Sequence, residues 1–370
     1  MSKELMVYVG TYTLPILFGT GEVLVGKGEG IYVYRMDQNS GALEFSSKIA
    51  GVANPSYLSF DPKHHSLYAV NELKNFEGKP TGAVSAFSVN SETGGLKFLN
   101  RKPTMGTDPC YVTVDKTSRY VLVANFMSGS VCVLPIREDG SLEDASDLIQ
   151  HHGSSVNPKR QEEPHAHACV LDKANRYVLV PDLGIDKVMI YKFDSNLGRL
   201  EPNDEPWFQV RAGAGPRHLA FHPNGRYAYL INELNSTLTV FSYNENNGTL
   251  KEVQTVSTMP EDFAGANTGA DVKVHPSGRF VYASNRGLND IVIYAINEGT
   301  GKLTYIGRRS TQGKTPRNFA IDPTGRFLLA ANQDTDTIVT FRIDQQTGEL
   351  LLSGHLTKAP TPVCIKMIPL

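Results

Sequence analysis

The chain has 370 residues, with 36 Lys and Arg against 38 Asp and Glu for a formal net charge of −2. That balance, with no Lys/Arg run, supplies no electrostatic footprint for nucleic acid, and no apolar stretch approaches membrane length. The four cysteines, Cys110, Cys132, Cys169 and Cys364, show no CxxC spacing; three lie in apolar strand-like segments, so they read as buried thiols in a reducing compartment.

In chain order, strand-like sequence begins at 5–9, which leaves no room for a signal peptide, and a cytoplasmic protein is expected. Residues 6–12 look like a second strand lacking a first. Residues 13–30 are glycine-rich and apolar, and read either as a lid or as a disordered insertion. From there one pattern recurs. A turn residue (Asp61, Asp115, Asp172, His222, His275, Asp322) is followed ten residues later by Asn71, Asn125, Asp182, Asn232, Asn285 or Asn332, without slippage. A β-rich run lies between. First strands follow a proline (Pro55, Pro109, Pro216, Pro316), where the missing donor costs the ladder nothing. Third strands alternate at 130–134, 237–241 and 290–294. A Gly-x-Leu turn then opens a fourth strand, and the turn leucines from Leu43 to Leu350 stand 46 to 58 residues apart. A period near fifty with several strands per repeat means a propeller, one repeat per blade.

Residues 363–368 form an inner strand with no blade of their own. Pairing them with the N-terminal strands completes a seventh blade and removes two open edges. The expected fold is therefore all-β: a seven-bladed propeller of four-stranded antiparallel blades, one domain over residues 1–370.

In an antiparallel meander the start of strand one and the end of strand two lie at the same end of the blade. Two columns of positions thus converge on one mouth of the central channel. One column is Ser56, Cys110, His167, Arg217, Ala270 and Arg317; the other is Glu72, Phe126, Leu183, Glu233, Arg286 and Gln333. The periodic asparagines read as structural ties between strand ends, whereas these neighbouring columns vary as a binding site would. Segments 13–30, 73–82, 148–163 and 259–269 are long and fall on that same face, where function usually lives.

Gly213-Ala-Gly-Pro-Arg-His218, Phe221-His-Pro-Asn224 and the run 227–236, with 258–263 and 315–318, resemble the seven-bladed lactonase family, which includes propeller 6-phosphogluconolactonases and carboxymuconate-lactonising enzymes. The likeness covers nearly the whole chain. It implies a site with a histidine, two arginines and a glutamate, which match His167, Arg217, Arg286 and Glu233 here. A second histidine, His165, and the 13–30 insertion are departures. Arg317, His165, His218, Glu72 and Gln333 are the expected substrate-binding side chains around these four.

Hydrolysis of a lactone needs a base for water, donors for the oxyanion and an anchor for an anionic group. Arg217 and Arg317 suit a phosphate or carboxylate, and Arg286 the carbonyl. His167 or Glu233 would activate water, with His167 favoured as base and Glu233 orienting it or the water. The bland alternative is that Glu233 only neutralises a rim arginine. An anionic sugar lactone, with 6-phosphogluconolactone first, is the expected small-molecule partner; lactonisation of a carboxymuconate and a non-catalytic binding propeller are the rivals. Several ionisable residues at one mouth argue against the last. His165-x-His167 is a possible metal spacing, but no third ligand is identifiable, so neither metal nor cofactor is expected. Gly26 to Gly30 is no phosphate loop because no helix follows. His151-His152 reads as surface decoration, and for Lys159-Arg160 a solvated loop outweighs a role in attracting anions. No nucleic-acid or membrane partner is expected, and the chain should be a monomer or weak homo-oligomer.

Overall fold

The computed structural model describes residues 4–18 and 20–370; residues 1–3, and Gly19 of the 13–30 insertion, lie outside the described residues. Among these, the chain forms seven four-stranded antiparallel sheets arranged as a propeller. Six are continuous in sequence, at 58–103, 109–150, 170–209, 216–257, 268–310 and 316–358. The seventh joins the two ends: Pro362–Pro369 is its inner strand, followed by Leu5–Thr11, Gly30–Met36 and Leu43–Ala50. Leu5 pairs with Pro369 and Thr11 with Pro362, so the predicted closure holds. Deleting residues 362–370 is expected to abolish the cooperative thermal transition followed by circular dichroism, because Leu5–Thr11 would then present an open edge beside the channel. An unchanged melt would show closure to be dispensable.

Burial follows position in the blade. Second strands such as Tyr120–Asn125, Tyr177–Asp182 and Tyr227–Asn232 are buried at every residue, since blades pack on both faces. Fourth strands alternate, as in Leu350–Lys358, because one face meets solvent. The Gly-x-Leu turns stitch blade to blade. Tyr8, Tyr68, Tyr229 and Tyr282 donate their hydroxyls to the turn carbonyls of Gly94, Gly140, Gly301 and Gly348, at 2.7, 2.9, 3.1 and 2.8 Å. Gly348 shows why glycine is needed: its φ is +78°, and a Cβ there would sit 2.5 Å from the Phe280 ring of the neighbouring blade.

The periodic asparagines are structural ties. The side-chain amides of Asn71, Asn125, Asn285 and Asn332 donate to the carbonyls of Ala53, Thr104, Thr258 and Thr311, in the segments leading into their blades. Two expected elements differ, and for a third, one of its two readings is excluded. The strand expected at 55–60 forms only over Leu58–Phe60. Residues 148–150 belong to the fourth strand Asp147–Gln150, so the loop on that face begins later. The 13–30 insertion is not disordered throughout: Ile16–Leu17 and Val23–Leu24 pair as a small hairpin, whose Ile16 packs on Tyr12 and Val363.

Candidate active site

The first-strand column acquires its direction from backbone irregularity. The ladders pair Pro109 with Asn125 and then Tyr111 with Ala124, leaving Cys110 over. Arg217 and Arg317 are left over in the same way, between Pro216 and His218 and between Pro316 and Asn318. An extra residue in one strand breaks the alternation locally and re-aims its side chain. In the 170–209 blade the departure is larger. The first strand is only Val170–Leu171, and Ala166 meets Asp182 in an isolated bridge, so His165 and His167 are not partners on one strand face as their spacing suggested.

These irregular starts surround a cleft of about 850 Å³, roofed on one side by the 16–24 hairpin. Of the predicted residues, Glu72, His167, Glu233, Arg286, Arg317 and Gln333 line it. Three do not. Arg217 is fully buried behind Glu233, its Nε 3.0 Å from Glu233 Oε2 and its Nη1 donating to the Ala270 carbonyl. His218 lies deeper, with Nδ1 2.9 Å from Asp271 Oδ1, and touches the His167 ring edge-on at 5.1 Å between centroids. His165 stacks on Phe126 at 4.6 Å, with Nδ1 bonded to the Phe126 carbonyl.

Glu233 is the electrostatic centre. Arg160 Nη2 reaches Oε1 at 2.6 Å, while Arg217 Nε and Arg286 Nη2 reach Oε2 at 3.0 and 2.8 Å. Burial alone would raise its pKa, but the charges of Arg286, Arg160 and Arg217 outweigh that and hold the carboxyl well below its ordinary range. Three guanidinium groups on one carboxylate leave a surplus of positive charge. Arg317 adds to it. Its guanidinium sits 5.6 Å from the Tyr12 ring and 5.4 Å from the Phe18 ring and makes no ion pair or hydrogen bond among the described residues. Burial, then the charges of Arg217 and His218, push His167 well below its usual value, so it is a neutral imidazole at neutral pH. Beneath the cluster, Asp271 accepts from His218, Lys273 and Asn318, completing a buried polar column under Arg217 and Glu233.

The glycine-rich entry to this column has a local reason. Asp186 accepts the backbone N–H groups of Gly213 at 2.6 Å and Gly215 at 2.7 Å, and both glycines have positive φ. That turn delivers Arg217 to the bulge, and the Gly215 carbonyl accepts the Glu233 N–H.

Two placements depart from expectation. Arg160 is no solvated loop residue, since it lies against Glu233 in the cleft wall. His151 is no surface decoration: it is buried, with Nδ1 2.6 Å from Asp182 Oδ2, while His152 alone of that pair is exposed. Asp182, the one aspartate in the asparagine column, is thereby explained: it accepts from His151 and from the His165 and Gly184 N–H groups. Asp108, also in the cleft wall, lies in a column just before the periodic proline, a column whose register was readable and unused.

A family model described as "Lactonase, 7-bladed beta-propeller" matches residues 6–367. The chain belongs to this lactonase family. A 6-phosphogluconolactonase of Bacillus subtilis (strain 168) is 38% identical over 361 residues, spanning 98% of this chain and 97% of its own. A 6-phosphogluconolactonase of Formosa agariphila is 35% identical over 300 residues, 80% of this chain and 82% of its own. Among solved structures, the periplasmic gluconolactonase PpgL of Pseudomonas aeruginosa superposes with a TM-score of 0.90 at 34% identity, covering 99% of both chains. Family membership accords with a cleft on one face of the propeller that could take a small-molecule lactone. Among the described residues no helix is long and apolar enough to cross a membrane.

Proposed function

We propose that this lactonase-family chain hydrolyses 6-phosphogluconolactone to 6-phosphogluconate. The observation that carries the reading is Arg317: a guanidinium in the cleft wall, lying beside the edge-on Tyr12–Phe18 ring pair, with no carboxylate in ion-pair contact among the described residues. A planar donor fork so placed suits a phosphate in two-point fashion. The names borne by the relatives support the same substrate class.

Roles follow from the electrostatics. His167 is neutral and accepts a proton from the attacking water. Glu233, fully ionised and clamped by three guanidinium groups, is a poor base and organises the arginines and the water. Arg286 shares Glu233 with its neighbours, keeps a buried Nε without a partner, and faces the charge that develops on the carbonyl oxygen. Arg217, outside the lining, positions Glu233 rather than holding the anion. His218 supports His167 from below, and Glu72 and Gln333 shape the opposite wall. Metal and cofactor play no part in this scheme, and neither nucleic acid nor membrane is a partner. A cytoplasmic setting belongs to the proposal, supported by four free buried cysteines.

The test is initial-rate hydrolysis of freshly made 6-phosphogluconolactone, read as 6-phosphogluconate by a coupled dehydrogenase. Arg317→Ala is expected to raise KM for this substrate roughly tenfold or more, the scale of one lost charge-assisted bond. Turnover of glucono-δ-lactone should change little. Turnover of a carboxymuconate with none of either lactone would overturn the assignment.

A further inference from the structure

Facing the basic cluster, the cleft has an acidic wall that the scheme above leaves without chemistry. Glu72 follows the second strand of the 58–103 blade, and Asp108 immediately precedes the 109–150 blade. Glu233 and Arg286 belong to blades three and four steps beyond that of Glu72, and two and three beyond that of Asp108, around the ring of seven. Asp108 is 4% exposed, and its Oδ2 is buried with no hydrogen-bond partner. Its backbone is fixed: the N–H donates to the Leu73 carbonyl and the carbonyl accepts the Phe126 N–H, each at 2.9 Å. Its φ of 50° is a left-handed conformation that Asp and Asn take more readily than other side chains. A buried carboxyl oxygen without a partner is costly as an anion and tolerable with a proton.

The charged and titratable groups around Asp108 are Glu72 and Lys74 from the preceding blade, Cys110 on the strand that Asp108 leads into, and Arg317 beside Glu72. Burial and then the Glu72 charge push Asp108 up to about 7, with Lys74 opposing. Burial also raises the Cys110 thiol, which stays neutral. Glu72 itself is raised by burial against the Arg317 charge, and both its oxygens accept from the Tyr12 hydroxyl at 3.2 and 3.0 Å. Asp108 is therefore the cleft-wall carboxyl that holds a transferable proton near neutral pH, its unpartnered Oδ2 turned away from solvent.

We propose that Asp108 is the proton donor to the ring oxygen that leaves when the lactone opens, an assignment that rests on the lactonase reading above. Water adds its oxygen to the carbonyl carbon and passes one proton to His167. The tetrahedral intermediate re-forms the carbonyl and breaks the ring C–O bond, whose electron pair stays on the ring oxygen. That oxygen takes the Asp108 proton and becomes a hydroxyl. The proton held by His167 restores Asp108 through solvent, so the net reaction consumes one water. The placement fits a 6-phosphorylated lactone, in which two carbons separate the ring oxygen from the phosphate ester oxygen. A phosphate on Arg317, which lines a small shared cavity with Glu72, brings the ring oxygen to the acidic wall while the carbonyl faces Arg286.

The experiment compares wild type with Asp108→Asn on 6-phosphogluconolactone, glucono-δ-lactone and dihydrocoumarin, whose phenolate departs without needing a proton. Wild-type kcat on the sugar lactones should decline above about pH 7, as the donor ionises. Asp108→Asn should lose roughly 10²-fold on the sugar lactones, abolish that decline, and lose less than about fivefold on dihydrocoumarin. Asparagine accepts the same φ, and the variant should melt no lower than wild type at pH 8, since it removes a charge that the fold resists. Infrared difference spectra at pH 6 give a readout independent of turnover: a protonated-carboxyl band in wild type, absent from the variant. Sugar-lactone rates within a few-fold of wild type, equal losses for both leaving groups, a wild-type kcat that rises through pH 7, or no such band would each overturn the proposal. A wild type that opens no sugar lactone would instead strike the underlying reading, which separates the two failures.

Discussion

Glu233→Gln is expected to cost about 3 kcal/mol of folding stability at neutral pH and to lower kcat/KM by more than a hundredfold. The substitution keeps shape and removes charge. Three guanidinium groups then face one another around a neutral amide. Arg160 and Arg286, whose side chains are 14% and 16% exposed, can recover some hydration, whereas Arg217 at 2% cannot. Removing one partner of a buried ion pair is costly because the survivor is left uncompensated, and here Arg217 is the survivor. The pH dependence has a definite sign. A carboxyl held below its ordinary value contributes stability that is present above the unfolded value, near 4.5, and lost as pH falls through the folded one. Denaturant titrations should therefore show a constant gap between wild type and variant from pH 6 to 8, narrowing only in strong acid. A variant as stable as wild type at pH 7.5 would mean that the cluster is hydrated and carries no structural charge balance.

The activity loss has a separate origin. Without the carboxylate, Arg286 and Arg160 repel each other and move away from the positions that face the carbonyl. Glutamine cannot hold three guanidinium groups at once, since its amide nitrogen repels one of them. Stability and rate should therefore fall together for Glu233→Gln, whereas Arg317→Ala should alter affinity for the phosphorylated substrate and leave stability nearly untouched.

Much of this site was legible because a propeller turns sequence phase into angular position. The ten-residue step from Asp322 to Asn332, repeated from Asp61 to Asn71, was enough to align Glu72, Glu233, Arg286 and Gln333 at strand ends, and all four line the cleft. Phase alone could not say which way a side chain points once the ladder slips. Arg217 and Arg317 hold equivalent positions, each at a one-residue bulge, yet Arg217 turns under Glu233 and Arg317 into the cleft. The difference comes from what each meets: a carboxylate and the Ala270 carbonyl in one case, two aromatic rings in the other. Arg160 and His151 were misread for another reason. They sit in an irregular segment outside the repeat, where local polarity suggests solvent, and only tertiary contacts with Glu233 and Asp182 bury them. Asp108 is a different case, since the column before the periodic proline was in register. Its side chain matters because of burial and Glu72, neither of which has a local signature.

Arg286→Ala should lower kcat for 6-phosphogluconolactone by roughly 10² to 10³ while KM moves by only a few-fold. Arg286 shares the Glu233 carboxylate and donates to the Gly269 carbonyl, which fixes its guanidinium at the end of a second strand. A donor held in advance costs no reorganisation when the carbonyl oxygen becomes an oxyanion, and it interacts more strongly with that anion than with the neutral carbonyl. Its loss therefore falls on the transition state. The fold tolerates the change better than Glu233→Gln, because Glu233 keeps Arg160 and Arg217 and no charge is left unpaired. Arg286→Lys should recover only part of the rate, since an ammonium on a flexible stem cannot hold Glu233, Gly269 and an oxyanion together as a planar fork does. Rates and melting temperatures measured on the same preparations decide the matter. A kcat within a few-fold of wild type for Arg286→Ala, at unchanged melting temperature, would remove Arg286 from the oxyanion role and leave it only as a partner of Glu233.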